Sequence, residues 1–299
     1  MTAARPPWPA SSDPPPRFVD AHLHFWQRGE PGLSWPMLEP GFAYPLHRFD
    51  QNGRYTSADH RAETAPVPVT KIVHAQAAQA DDPVVETAWL QRMADADPAG
   101  WPNGIVGSGS LSSPSTRAML EGHAAHPNFR GVRDVTFAEH LGDPALDRGL
   151  VALADLGAVC DAMVRLPRFA DLAAVADRHP DVVFVLGHGG TPIERTPEFL
   201  RAWRAGLGDL ARRPNIVCKV SGFGIGDNEW TVDSLAPVVL GCIDAFGVNR
   251  CLFTSNWPVD KLFSTYTELL GAFDVITAHF SHDERDALFA ATSERVYRI

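Results

Sequence analysis

Phe18-Val19-Asp20-Ala21-His22-Leu23-His24 is the stretch whose reading decides the fold: a short apolar run that ends in two histidines one residue apart. In an extended strand successive side chains alternate faces, so Asp20, His22 and His24 are expected on one side, with His24 nearest the exit. Two imidazoles then converge on one small volume, which suits metal binding or proton handling. A lone histidine would read better as a satisfied core residue. A His-x-His at the end of the first strand of a long chain reads as function.

Outward from this strand, the connection over 25–68 holds Trp26, Trp35, Pro36, Tyr44, Pro45 and Tyr55 without a helical period. Insertions of this size are usually lids or binding loops. Its aromatics either roof a pocket or pack the loop onto the scaffold. From residue 69 the chain alternates. Apolar strand-like runs begin at Val69, Gly104, Phe129, Ala158, Val182, Ile216 and Cys251. Helix starts fall between them at Asp82-Pro83, Ser113-Pro114, Asp143-Pro144 and Thr196-Pro197, where proline suits the first turn, and Ser281 with Glu284 forms a capping box.

Eight strands, each followed by a helical stretch, predict an α/β protein of the (β/α)8 TIM-barrel type, with right-handed connections and parallel strands. The rival, a doubly wound open sheet, lacks its glycine-rich loop after the first strand. The expected organisation is a disordered proline-rich leader over 1–16 and one barrel domain over 17–299, distorted by the long lid-like loop after strand 1.

The chain has 299 residues, 45% of them hydrophobic, enough for a sizeable core, and a formal net charge of −10. That charge argues against nucleic acid or an anionic membrane as partner, leaving a small-molecule substrate. No run approaches the ~18 apolar residues of a membrane span. Cys160, Cys218, Cys242 and Cys251 have no paired spacing, so they read as reduced residues of a cytoplasmic protein.

In such barrels the chemistry hangs from the C-terminal strand ends. Those ends supply His22 and His24, Gln76, Arg133 and Asp134, Asp161 and Arg165, His188, Lys219 and Ser221, and Ser255 and Asn256, with Asp260 just beyond. His188 closes an apolar run and is followed by two glycines, which makes a three-imidazole cluster with His22 and His24 the leading expectation. A buried cation needs an anion. Asp134 and Asp161 are local candidates, and a substrate carboxylate held by Arg133, helped by Lys219, is the functional alternative. Arg130 and Arg133 cannot both face inward on a regular strand, and Arg133 lies nearer the exit.

The runs Asp20-Ala21-His22-Leu23-His24-Phe25-Trp26, Arg130-Gly131-Val132-Arg133, His188-Gly189-Gly190-Thr191-Pro192, Cys218-Lys219-Val220-Ser221-Gly222 and Ser255-Asn256-Trp257-Pro258-Val259-Asp260 resemble, in this order, the amidohydrolase-2 branch of the amidohydrolase superfamily, above all its pyrone-dicarboxylate and sugar-acid lactonases. The resemblance implies hydrolysis of a lactone or similar cyclic ester. By position, His22, His24 and His188 would polarise the carbonyl or hold one divalent metal such as zinc, and Arg133 would bind a carboxylate. Some members of the branch work without metal.

One position departs from the pattern: Asn256 stands where the family usually has an aspartate that takes a proton from water. An amide cannot take that proton. His24, His188 or Asp260 is left as the base, or hydrolysis has been lost. The leading expectation is a lactonase-like hydrolase with His22, His24, His188 and Asn256 at the reacting centre. Arg133, Lys219, Gln76, Trp26, Trp257 and Asp260 are the expected substrate contacts. Its rivals are a metal-dependent decarboxylase, disfavoured because the fifth strand holds no histidine, and a ligand-binding barrel without turnover. Barrels of this kind often pair through outer helices, so a homo-oligomer is compatible with the sequence.

Overall fold

The computed structural model describes residues 5–42, 44–50 and 52–299. Eight parallel strands form one sheet: β1 (Phe18–Leu23), β4 (Val69–Ala75), β5 (Gly104–Ser108), β6 (Phe129–Arg133), β7 (Val159–Ala162), β8 (Phe184–Leu186), β9 (Ile216–Val220) and β10 (Cys251–Phe253), each beside the next. Helices α2 (Val84–Ala96), α3 (Thr116–Ala124), α4 (Pro144–Asp155), α5 (Phe169–Arg178), α6 (Pro197–Leu210), α7 (Val232–Phe246) and α8 (Tyr266–Ile276) follow the seven strands from β4 onward. This is the (β/α)8 barrel. Of the expected starts, Asp143 accepts from the Ala145 amide, Thr196 from Phe199, and Ser281 with Glu284 closes a capping box on the short α9 (His282–Asp286), whereas α2 begins just after Pro83 and α3 begins at Thr116, beyond Ser113-Pro114, neither capped by the side chain of its N-cap residue.

A layer of Ala21, Val73, Val106, Val159, Val185, Val217 and Leu252 fills the barrel, and Val296 and Tyr297 of α10 (Thr292–Tyr297) pack against it. The large apolar residues instead sit between sheet and helices. Small and β-branched side chains suit the narrow interior, where opposite strands approach.

The barrel is irregular where β10 meets β1. There closure passes through the segment after β10: the Asn256 amide donates to the His22 carbonyl at 2.9 Å, and the His24 amide to Trp257 at 2.8 Å. Register also shifts between Asp20 and Leu23. As a result the expected single face of Asp20, His22 and His24 is not seen. Asp20 turns to the helical layer, where it accepts from the Ser255 amide (2.9 Å), Ser255 Oγ (2.5 Å) and Tyr266 Oη of α8 (2.9 Å). His22 turns inward instead.

The 25–68 connection carries more structure than its sequence suggested. A two-stranded antiparallel ribbon pairs β2 (Trp26–Gln27) with β3 (Arg54–Tyr55), and α1 (Ser57–Thr64) follows with its own capping box. The proline-rich leader also departs from expectation, because its described part is docked. Trp8 is buried and its amide donates to Thr267, the Ala10 and Ser11 amides donate to Asp274, and Arg285 donates to the Asp13 carbonyl.

Candidate functional site

The strand ends bring three imidazoles together. The His22 ring lies 5.0 Å from His24 and 4.7 Å from His188, centroid to centroid. His22 and His24 come off β1, whereas His188 sits in a one-turn 3-10 segment after β8, at φ +52°. Gly189 and Gly190 share that left-handed geometry, which glycine adopts at little cost. Behind His188 lies Gly222, at φ +66°, where an added Cβ would stand 2.7 Å from His188 Nδ1.

Each ring has its Nδ1 engaged by a protein partner. His24 Nδ1 meets the Ala75 carbonyl at 2.9 Å, His188 Nδ1 meets Ser221 Oγ at 2.9 Å, and His22 Nδ1 meets Lys219 Nζ at 3.1 Å. The partners determine the tautomers. A carbonyl only accepts, so His24 carries its proton on Nδ1 and presents a lone pair at Nε2. An ammonium only donates, so His22 accepts at Nδ1 and carries its proton on Nε2, a buried atom with no hydrogen-bond partner. Burial, with the neighbouring cations adding to it, holds His22 and His188 well below the ordinary histidine range and His24 down to about 4. All three are neutral at pH 7.

Lys219 does not take the substrate-binding place expected of it. It is fully buried and paired to Asp161 at 2.5 Å. Strands β7, β9 and β1 are not neighbours in the sheet, so Lys219 can touch both Asp161 and His22 only across the barrel interior. Burial lowers the Lys219 ammonium from its usual value and Asp161 opposes that. Its role is to hold His22 from below.

Above the rings opens a cavity of about 400 Å³, lined by His24, His188, Asn256, Gln76, Arg133 and Arg165, with Met37, Tyr44, Leu46, Met163 and Ile225 among its apolar walls; His22, expected at the reacting centre, lies fully buried beneath the other two rings and is not in the lining. Arg133 is half-buried, Arg165 is exposed at the mouth, and neither makes an ion pair among the described residues. Arg133 Nε is buried without a partner. Arg130 points elsewhere, to the Pro127 and Phe129 carbonyls. Gln76 lines the wall as expected, its Nε2 spent on the Ala78 carbonyl.

Trp26 and Trp257, expected as pocket walls, are absent from the lining. Both are fully buried, Trp26 donating to Asp50 and Trp257 to Glu63. The aromatic and thioether wall comes instead from Met37, Phe42 and Tyr44 of the lid-like loop and from Met163 after β7. Their sequence neighbourhoods carry no period that would mark them, although the loop's length was the signal that it roofs a site.

Asn256 lines the cavity at φ +56° and donates from Nδ2 to Asp260 Oδ2 at 2.6 Å. Asp260 therefore stands behind Asn256 rather than in the cavity. Burial pushes its carboxyl up to about 7, and its Oδ1 has no partner.

The three imidazoles do not form the metal group that their clustering suggested. A divalent ion on His22 Nε2 needs that lone pair, which would place a hydrogen on Nδ1 against the Lys219 ammonium. Among the described residues no three His, Cys, Asp or Glu side chains converge in a metal-holding arrangement. The donor set as it stands does not fit a metal held through His22.

Fold and site together define a (β/α)8-barrel enzyme with its chemistry at the C-terminal rim. The chain belongs to the amidohydrolase family, whose sequence model (Amidohydro_2) matches residues 19–299. An uncharacterised protein of Sinorhizobium fredii is 34% identical over 94% of this chain and 98% of its own length. An L-fucono-1,5-lactonase of Burkholderia ambifaria is 27% identical over 94% and 95%. An amidohydrolase from Burkholderia multivorans superposes with TM-score 0.80 at 26% identity, covering 94% of this chain and 99% of the other, and a second crystal form of it holds bound zinc. Superfamily members commonly bind a divalent metal, and no helix among the described residues is long and apolar enough to cross a membrane.

Proposed function

We propose that this chain is a hydrolase that opens a lactone or similar cyclic ester carrying an anionic group. The observation that carries the reading is the pair of neutral imidazoles in the cavity lining, His24 turned by the Ala75 carbonyl to present a lone pair and His188 backed by Ser221 Oγ, in a cavity whose two arginines lack protein partners.

The substrate ring lies against the apolar wall, with its anionic group facing Arg133. His188 donates from Nε2 to the carbonyl oxygen, its Nδ1 accepting from Ser221 Oγ, and this bond gains strength as that oxygen becomes an alkoxide, while His22 packs beneath both lining rings. His24 Nε2 accepts the proton of the attacking water, the place that Asn256 cannot fill. Because Asp260 holds the Asn256 amide nitrogen, the amide oxygen is left for the water or for the imidazolium at His24. Proton return from His24 to the ring oxygen releases the hydroxy acid. No step passes through a metal.

A decarboxylase reading has little to rest on, since Cys160 and Asp161 of β7 supply no imidazole and Met163 stands where that strand meets the cavity. The L-fucono-1,5-lactonase relatives favour lactone opening. A screen of lactones with a pH indicator, before and after chelation, tests the proposal. Turnover is expected to survive chelation and to fall at least tenfold in Arg133→Met through KM. Activity that appears only in Asn256→Asp would instead identify the native chain as a binding barrel.

A further inference from the structure

Trp257 is held at both ends. Its carbonyl accepts the His24 amide at 2.8 Å, in a bridge that pairs Trp257 with Leu23, and its fully buried indole donates from Nε1 to Glu63 Oε2 at 3.1 Å. One residue thus joins the backbone of His24 to a carboxylate that is not in the cavity lining.

Glu63 belongs to the lid-like loop. It lies on α1, directly after the β2–β3 ribbon from which the stretch carrying Met37, Tyr44 and Leu46 leaves and returns. Its Oε2 also takes the Tyr55 hydroxyl of β3 at 3.0 Å, and its Oε1 pairs with Lys261 Nζ at 2.5 Å. Lys261 follows Asp260, and its ammonium lies 5.1 Å from the centre of the Phe49 ring in the returning arm of the loop. A single carboxylate therefore gathers donors from the ribbon and from two points of the segment that carries Asn256 and Asp260.

Fold stability gives little reason for a charge at this place. The Glu63 and Lys261 side chains are 26% and 32% exposed, and an ion pair in that setting is screened by solvent and contributes little. A neutral amide oxygen would serve the indole and the phenol equally well. What the carboxylate adds is Lys261, the contact that ties the loop to the segment after β10.

Resting on the hydrolase reading for what His24 does, we infer that Glu63 is a positioning residue for the reaction: through Trp257 it fixes the place of His24, and through Lys261 it holds the loop's apolar wall over the same ring. The base and the wall against which the substrate ring lies are then set from one point, and small displacements of either are costly in rate.

The test is steady-state kinetics of whole-chain variants on an accepted lactone, with thermal unfolding to verify that each folds. Glu63→Ala is expected to lower kcat about tenfold and to raise KM about fivefold. Trp257→Phe, which keeps a ring and removes the indole N–H, should lower kcat by a similar factor, and the double variant should lose no more kcat than either single one. Glu63→Gln keeps an acceptor for Trp257 and Tyr55, so it should restore kcat to within about threefold of the native value while KM stays raised, and Lys261→Met should raise KM in the same way. Hydrogen exchange reads the same links without turnover: Glu63→Ala should speed exchange at the His24 amide and in peptides around Met37 and Leu46, Glu63→Gln only in the latter. Unchanged kcat, KM and exchange in Glu63→Ala, kcat losses that add in the double variant, or a Glu63→Gln enzyme as slow as Glu63→Ala would overturn the inference. The expected exchange pattern with no turnover of any lactone would leave the positioning role standing and remove the hydrolase reading instead.

Discussion

The two sides of the barrel deliver their imidazoles by different means. His22 and His24 leave β1 at an irregular seam, held by a buried carboxylate on the helical side and a buried ammonium in the interior. His188 leaves β8 in a single left-handed turn with Ser221 and Gly222 at its back. One side is held by charge and the other by backbone shape. The seam should thus respond most to loss of a polar partner, and the far side to added volume.

Lys219→Met is the largest break expected. It leaves Asp161 buried without its cation, destabilising the fold by about 3–5 kcal/mol, and it releases His22, which packs beneath His24 and His188, lowering kcat about 10²-fold through their misplacement. Denaturant melts and steady-state kinetics on an accepted lactone would show both. Adding Asp161→Leu should recover stability without recovering kcat, which separates the fold's use of the pair from its hold on His22.

Next comes Asp20→Ala, which strands the Ser255 amide, Ser255 Oγ and Tyr266 Oη in a buried place. Stability should drop by roughly 2–4 kcal/mol, and activity per folded molecule should fall because Asn256 and His22 are joined through the same seam. On the far side Gly222→Ala meets both a positive φ and the His188 ring. About 1–2 kcal/mol of stability is expected to be lost, with a drop in kcat that a seam variant cannot rescue.

The same contrast explains what could be read in advance. Strand and helix alternation, the helix starts at Asp143-Pro144 and Thr196-Pro197 and the clustering of His22, His24 and His188 follow from sequence pattern, and the structure shows each, whereas α2 and α3 begin beyond the residues expected to start them. The facing of Asp20 does not, because a register shift inverts alternation and leaves no local trace. Lys219 was legible as a strand-end cation, with Asp161 among its candidate anions, but not as a tether of His22, which stands 197 residues away. Trp26 and Trp257 mislead in the opposite direction: adjacent to catalytic motifs in sequence, they are turned away by the β2–β3 ribbon and by Glu63.

Asp260 offers the smallest and sharpest test of the seam. Its carboxyl is raised from 3.8 to about 7 by burial, so the folded state favours the neutral form. That advantage is complete below about pH 4 and is lost as pH rises through about 7, making the folded chain less stable at pH 8 than at pH 6 on this account by about 1 kcal/mol. The buried histidines pull the other way: their lowered values leave them neutral when folded, so acid below about 6.5 favours the unfolded chain. Only a difference isolates the carboxyl. Asp260→Asn should be more stable relative to the native chain at pH 8 than at pH 6, by the same ~1 kcal/mol in urea melts. A native-minus-variant difference that does not change with pH would mean that Asp260 is ionised throughout and holds Asn256 as a carboxylate, which would make the seam an electrostatic clamp at every pH the enzyme meets.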